Sequence, residues 1–351
     1  MPAPLARHAA PVTRPLTVVR PVEDPALVSG GDVYDRRVID GLRALGTEVH
    51  DAQLKGAWPR PDAAARARLD QVLRDDGEGP VLLDGLVACG VPEVVVPHTA
   101  RRPLAVLVHL PLGEEAPDLD AGEGAVLRAA RTVITTSPWA ARRLAGHGVD
   151  AVVATPGVDP APLAPGTDGA HRLLCLGAVT PTKGQDLLVA ALAQLREHPW
   201  TLDLAGPTGR DPAFVADLRD AIDRHDLADR VRLLGPRHGP DLDALWRAAD
   251  LLVAPSRVET YGMVVSEALA RGIPVLAAAV GGLPDTLVGA GVLTPPEDVP
   301  ALVARLDRWF ADHAHREGRR ISATSRRCRL HGWTQTSRRV AQVLASLLAP
   351  D

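Results

Sequence analysis

Ala254-Pro255-Ser256-Arg257-Val258-Glu259-Thr260-Tyr261-Gly262-Met263-Val264-Val265-Ser266-Glu267-Ala268-Leu269-Ala270-Arg271-Gly272-Ile273-Pro274-Val275 reads as the end of a strand, a loop, a short helix and the start of another strand. The apolar run Leu251 to Ala254 breaks at Pro255, and the loop that follows carries Glu259. Helical spacing starts at Met263 and stops at Gly272, after which Ile273 to Ala277 is apolar again. Gly262 lets backbone approach closely at the helix start, where the amides of Met263, Val264 and Val265 lack intrahelical partners. Such an end attracts phosphate. Glu267 lies about one turn further in and reaches back across the helix start, while Glu259 stays in the entering loop. Carboxylates do not bind phosphate; they accept hydrogen bonds from hydroxyls on either side of it. A sugar nucleotide offers that chemistry in that order: ribose, diphosphate, sugar.

Around this segment, the chain alternates short apolar runs with helix-capable stretches. Leu16 to Val19 reads as a strand, followed by the loop Val28-Ser29-Gly30-Gly31-Asp32 and a helix from Val33 to Leu45. Further strands are expected at Val81 to Leu83, Val94 to Val96, Ala105 to Val108, Val133 to Thr135 and Val152 to Ala154. A second series runs through Arg172 to Leu176, Leu202 to Ala205, Val231 to Leu234, Leu251 to Ala254, Val275 to Ala279 and Val292 to Leu293. This alternation predicts α/β architecture with parallel sheets covered on both faces. Thr155 to Gly166 is dense in Pro and Gly without a helical face, which predicts a domain boundary there. The expected domains are therefore 1–166 and 167–332, with a terminal segment 333–351 whose helix runs from about Ser337 to Leu348.

At 351 residues the chain exceeds what one core usually fills, in keeping with two domains. Its net charge of −4 gives no electrostatic footprint for nucleic acid. Cys89, Cys175 and Cys328 are odd in number and lack metal-ligand spacing, so neither a disulfide framework nor a zinc site is expected and a cytoplasmic location follows. Met1 to Thr13 has no apolar core of signal-peptide length, and no stretch approaches the ~20 apolar residues of a membrane span. Peripheral contact with a membrane stays open. Only two lysines, Lys55 and Lys183, stand among the 39 basic residues. Lys183 follows the run Leu174 to Gly177 and precedes the helix from Leu187, where a point cation suits a diphosphate.

The pattern Pro255-Ser256, Glu259, Tyr261-Gly262, Glu267-Ala268 and Gly272-Ile273-Pro274-Val275 resembles the paired-glutamate motif of family 4 of the retaining glycosyltransferases. The resemblance covers Leu173 to Pro300 most fully. It implies the GT-B fold, in which two Rossmann-like domains face each other across a cleft and the last helix crosses back to the first domain. It also implies transfer of a glycosyl group from a nucleotide sugar to a hydroxyl with retention at the anomeric carbon, the acceptor being unspecified. By the same resemblance Glu259, His109 and Lys183 are the catalytic candidates. Gly30, Gly31, Lys183, Gly262, Met263, Val264, Val265 and Glu267 are the candidates for donor binding. His109 matches the family histidine that contacts the transferred sugar; His98, His147 and His238 have no comparable context. No cofactor and no metal are implied, because Lys183 and the helix amides supply the positive field.

One position departs from the family pattern. Ala178 stands where an arginine binds the diphosphate, and Arg257 or Arg237 is a candidate substitute. The departure keeps open a protein that binds a sugar nucleotide or a partner subunit without turnover. An epimerase or phosphorylase of the same fold is a further alternative.

Overall fold

The computed structural model describes residues 14–75, 79–167 and 169–348. The reading of Met1 to Thr13 falls outside them. The chain forms two compact units. Of the described residues, one unit comprises those up to Glu23, Gly30–Gly157 and those from Trp333; the other comprises Asp24–Ser29 and Val158–Gly332.

In the first unit, six parallel strands, β1 (Leu16–Pro21), β2 (Val49–Leu54), β3 (Val81–Asp84), β4 (Leu104–Val108), β5 (Thr132–Thr135) and β6 (Val152–Val153), lie in the order β2-β1-β3-β4-β5-β6. Successive residues of each central strand enter opposite cores, as a period of two requires. Val81 and Leu83 of β3 and Leu104, Val106 and Val108 of β4 pack with Leu69 and Leu73 on one face. Leu82, Ala105 and Leu107 pack on the other with Val38, Leu42, Val340 and Leu344. That second face is covered by the helix Gly30–Ala44 and the last helix, Trp333–Ser346. Gly41 makes their close approach possible, since a Cβ there would stand 2.0 Å from Ser337 Oγ.

In the second unit β7 (Arg172–Leu176), β8 (Thr201–Ala205), β9 (Val231–Gly235), β10 (Leu251–Ala254), β11 (Val275–Ala278) and β12 (Val292–Thr294) are also parallel, in the order β12-β11-β10-β7-β8-β9. Leu173, Leu202, Leu204 and Val253 face a core built around Trp200 and Trp309, and Leu174, Leu252 and Val275 face one built around Trp246. No described helix is long and apolar enough to cross a membrane.

Several expectations need correction. Val94 to Val96 is helical, in Pro92–Val95 followed by the 3-10 turn Val96–His98, because Pro92 at the first helical position sets a helical start. The strand β2 was not expected, since its sequence VHDAQL has no apolar run; it sits at a sheet edge and only Leu54 is buried. The helix after β1 starts at Gly30, so Gly30 and Gly31 form its first turn and are not a separate loop. Division between the units falls after Gly157 rather than Gly166. The reason lies in backbone pairing: Val158 N donates to His331 O, Ala164 N to Arg271 O and Gly166 N to Arg247 O, so most of the Pro-rich segment is laid onto the second unit.

Candidate functional site

Both sheets reverse their strand order at one point, and in open α/β sheets that point is where ligands bind. In the second unit it lies between β7 and β10, paired through Leu251 with Leu173 and Leu252 with Leu174. The loops leaving those two strands carry Lys183 and Glu259. Their side chains meet: Lys183 Nζ donates to Glu259 Oε2 at 2.6 Å. The two are partly buried, with 31% and 17% of their side chains exposed, so each charge is compensated at little conformational freedom while remaining reachable.

The two loops are locked by backbone contacts that only small residues allow. Gly184, at φ +68°, lies so close to the other loop that a Cβ would be 2.1 Å from Pro255 O. Arg257 N donates to Thr182 O at 2.8 Å. On the other side, Gly282 N donates to Glu259 O at 3.0 Å, next to Gly281 at φ +53°. The segment that carries Glu259 is thus held from both flanks.

Gly262, at φ +82°, precedes the helix Met263–Ala270. Its N-terminus differs in one respect from the sequence reading. Val265 N donates to Gly262 O at 2.9 Å, so Val265 is not an open donor. The amides of Met263 and Val264 have no backbone acceptor among the described residues. With the positive end of the helix macrodipole they form an anion-accepting face beside the Lys183–Glu259 pair. Glu267 lies on this helix, half-buried, and its carbonyl accepts from Arg271 Nη1 at 3.1 Å.

Arg257 does not replace the missing arginine. Its guanidinium is bidentate to Asp186 at 2.9 and 2.7 Å, reaches Glu297 at 2.8 Å and donates to Pro181 O at 2.6 Å. Those acceptors raise its pKa and commit it to clamping the Lys183 loop. Ala178 itself offers its carbonyl to the buried Gln185 Nε2 at 2.9 Å. Arg237 follows β9 and is half-buried.

The first unit builds a second cluster, at the reversal between β1 and β3. His109 follows β4, Asp84 ends β3 and Asp35 lies on the buried side of the helix Gly30–Ala44. His109 Nε2 is 2.8 Å from Asp35 Oδ1 and 3.7 Å from Asp84 Oδ2. The Tyr34 ring meets the imidazole edge-on at 5.2 Å, and Tyr34 Oη donates to Ala154 O at 2.8 Å. Burial alone would lower the histidine pKa, but the Asp35 carboxylate outweighs it and raises the value to about 9. Burial, then the Asp35 charge, pushes Asp84 up. At neutral pH His109 is therefore an imidazolium held against Asp35. Gly30 and Gly31 lie one turn before Tyr34 and Asp35 on the same helix.

This pair makes stability depend on alkaline pH. Because the folded value exceeds the ordinary histidine value of about 6.5, its contribution is full below that pH and is lost as pH rises through about 9. Thermal melts between pH 6 and 10 should show a loss on the order of 2 kcal/mol that His109→Gln removes. Parallel curves for the two proteins would contradict the pairing.

Asp35 and Asp84 were missed in the sequence. Their signal was present: an acid on the same buried stripe as Val38, Ile39 and Leu42, and an acid closing the apolar run Val81 to Leu83. A carboxylate on a buried face requires a polar partner there.

Residues 170–312 match the family model described as glycosyl transferases group 1. A D-inositol 3-phosphate glycosyltransferase of Kineococcus radiotolerans is 34% identical over 255 residues, covering 63% of this chain and 58% of that one. Across the curated relatives compared, this chain spans between 38% and 66% of their length. Among solved structures, a sucrose-phosphate synthase of Thermosynechococcus elongatus superposes with a TM-score of 0.79 at 23% identity, over 95% of this chain and 99% of that one. Anabaena HepE, solved in complex with UDP and glucose, gives a TM-score of 0.75 at 20% identity, over 95% and 100%. At those identities the likeness is one of fold, and the fold is GT-B. In its 170–312 match and its sequence relatives, the chain is similar to the group 1 glycosyltransferases.

Proposed function

We propose that the protein transfers a glycosyl group from a nucleoside-diphosphate sugar to a hydroxyl acceptor with retention of configuration, as a family 4 enzyme of the GT-B fold. The observation that carries the reading is the Lys183–Glu259 pair at 2.6 Å, set beside the Gly262 helix start where β7 and β10 reverse the strand order. The diphosphate takes the open Met263 and Val264 amides and the remaining donors of the Lys183 ammonium, which has three in all. Charge on the leaving diphosphate grows as the glycosyl bond breaks, and this preorganised positive field stabilises it without a metal ion. Glu259 and Glu267 accept hydroxyl hydrogen bonds from the donor. His109, cationic beside Asp35, hydrogen-bonds the transferred sugar. The leaving diphosphate deprotonates the attacking hydroxyl on the same face, so no protein nucleophile is needed. The reduced cysteines fit a cytoplasmic setting.

Ala178, with Arg257 committed to Asp186, favours one other reading: a protein that binds the donor without turnover. A thermal-shift screen of UDP, GDP, ADP and dTDP, with and without EDTA, tests the donor site. One diphosphate should raise the melting temperature by a few degrees at about 100 times its Kd, equally in both conditions. No shift with any of them would remove the donor site. Transfer assays with the matching sugar nucleotide, and D-inositol 3-phosphate among the acceptors because relatives are named for it, separate turnover from binding.

A further inference from the structure

The first unit holds another cluster that the proposed reaction does not use. Asp120 and Glu123 lie three positions apart on one face of the helix Asp120–Ala129, and His147 stands just beyond the helix Pro138–Ala145. Their ligand atoms all lie within 4.8 Å of one another. Glu123 is fully buried and only 9% of the His147 side chain is exposed. Glu123 Oε2 and His147 Nε2 are both shielded from solvent and have no hydrogen-bond partner among the described residues. Two buried polar atoms, each able to present a lone pair, thus face one space without bonding each other.

The distances say what that space fits. His147 Nε2 is 3.7 Å from Glu123 Oε2 and 3.4 Å from Asp120 Oδ1, too long for hydrogen bonds. Two ligand atoms each about 2.1 Å from a tetrahedral ion stand roughly 3.4 Å apart. We propose that Asp120, Glu123 and His147 bind a divalent cation of the zinc class, with water completing the coordination.

The surroundings are those of an oriented ligand set. Leu112 N donates to Glu123 Oε1 at 2.9 Å, fixing the carboxylate and leaving Oε2 for the ion. Arg143 donates to Glu114 at 2.6 Å and to Asp120 Oδ1 at 2.8 Å, so the more exposed ligand is also held. Arg128 Nη1 donates to His147 O at 3.2 Å. Two glycines make the room. A Cβ on Gly113 would be 2.2 Å from Asp120 Oδ1, and one on Gly124 would be 2.7 Å from His147 Nδ1. Gly124 sits inside a helix, where glycine is unfavourable, and the seat it gives the imidazole is a reason for it. Asp120, with 38% of its side chain exposed, opens the site to ions from solvent. The bound ion ties the helix Asp120–Ala129 to His147 and, through Leu112, to the chain leaving β4. The family resemblance implies no metal for the transfer reaction; this site is independent of that chemistry, since none of its ligands is among the donor or sugar candidates.

The test uses tag-free full-length protein stripped with chelator. Calorimetric titration with Zn²⁺ should show one equivalent bound at this site and a raised melting temperature, and Co²⁺ should give a visible absorption band. Asp120→Asn, at the exposed ligand and so expected to fold, should weaken Zn²⁺ binding roughly tenfold or more. His147→Gln should abolish the Co²⁺ band. His109→Gln and His198→Gln, which disrupt the other groupings able to hold an ion, should leave both signals intact. Absence of stoichiometric Zn²⁺ uptake, uptake equal in wild type and Asp120→Asn, or loss in His109→Gln or His198→Gln alone would each overturn the proposal.

Discussion

Lys183→Ala is expected to lower kcat/KM for glycosyl transfer by about 10²–10³-fold, a loss of roughly 3–4 kcal/mol in transition-state stabilisation. The ammonium is the point cation of the site, because Arg257 is spent on Asp186, Glu297 and Pro181 O, and Ala178 supplies none. The substitution also leaves Glu259, with 17% of its side chain exposed, without its cation and repelling the diphosphate. Lys183→Arg should not restore activity. The lysine stem runs along Gly177, with methylenes 3.8 Å from where a Cβ would be, and the planar guanidinium needs a different approach. Donor affinity by calorimetry and initial rates, together with a double-mutant cycle against Glu259→Gln, would apportion the effect. Lys55→Ala, at an exposed position, is the control and should be silent. Wild-type turnover in Lys183→Ala would end the assignment of this site.

Gly281→Ala is expected to reduce both stability and activity, although residue 281 touches no ligand in the proposed reaction. A Cβ there would lie 1.7 Å from Glu259 O, and the backbone is held at φ +53°, which side chains rarely adopt. The overlap is with backbone and cannot be relieved by a rotamer change. The loop must shift, and the bond from Gly282 N to Glu259 O at 3.0 Å is lost with it. Conformational strain and overpacking together amount to about 3 kcal/mol. Displaced Glu259 no longer meets Lys183, so turnover should fall further than melting temperature explains. Gly289→Ala separates the two contributions. Its φ is +77° but nothing lies within 4 Å of a Cβ, so it should cost only about 1 kcal/mol and leave kinetics unchanged. Equal behaviour of the two variants in melts and rates would show that the contact with Glu259 is unimportant.

How far the sequence could be read depended on the range of the signal. The strand Leu251–Ala254 and the helix Met263–Ala270 were legible, because an apolar run and a period of 3.6 are each set by near neighbours. Edge strand β2 was not, because half-exposed pairing leaves no apolar run, and Val94 to Val96 was misread because three apolar residues in a row fit a strand and a helix turn equally. The amide of Val265 was assigned to ligand binding from the general rule for helix starts, whereas the actual first turn tightens and returns it to Gly262.

By itself the sequence determined that this is an α/β chain of two parallel series and that Lys183, Glu259, Gly262 and His109 follow strand ends, since periodicity and turn chemistry are local. Only the tertiary structure decided their company. Lys183 meets Glu259 across 76 positions because β10 lies beside β7, and His109 meets Asp35 across 74 because the helix after β1 lies over β4. Glu123 and His147 are brought together by the helices either side of β5, and Arg257 turns from a candidate ligand into a clamp. Strand order at the point of reversal brings distant loops to one place, and that order is fixed by packing of both sheet faces at once, which no local pattern records.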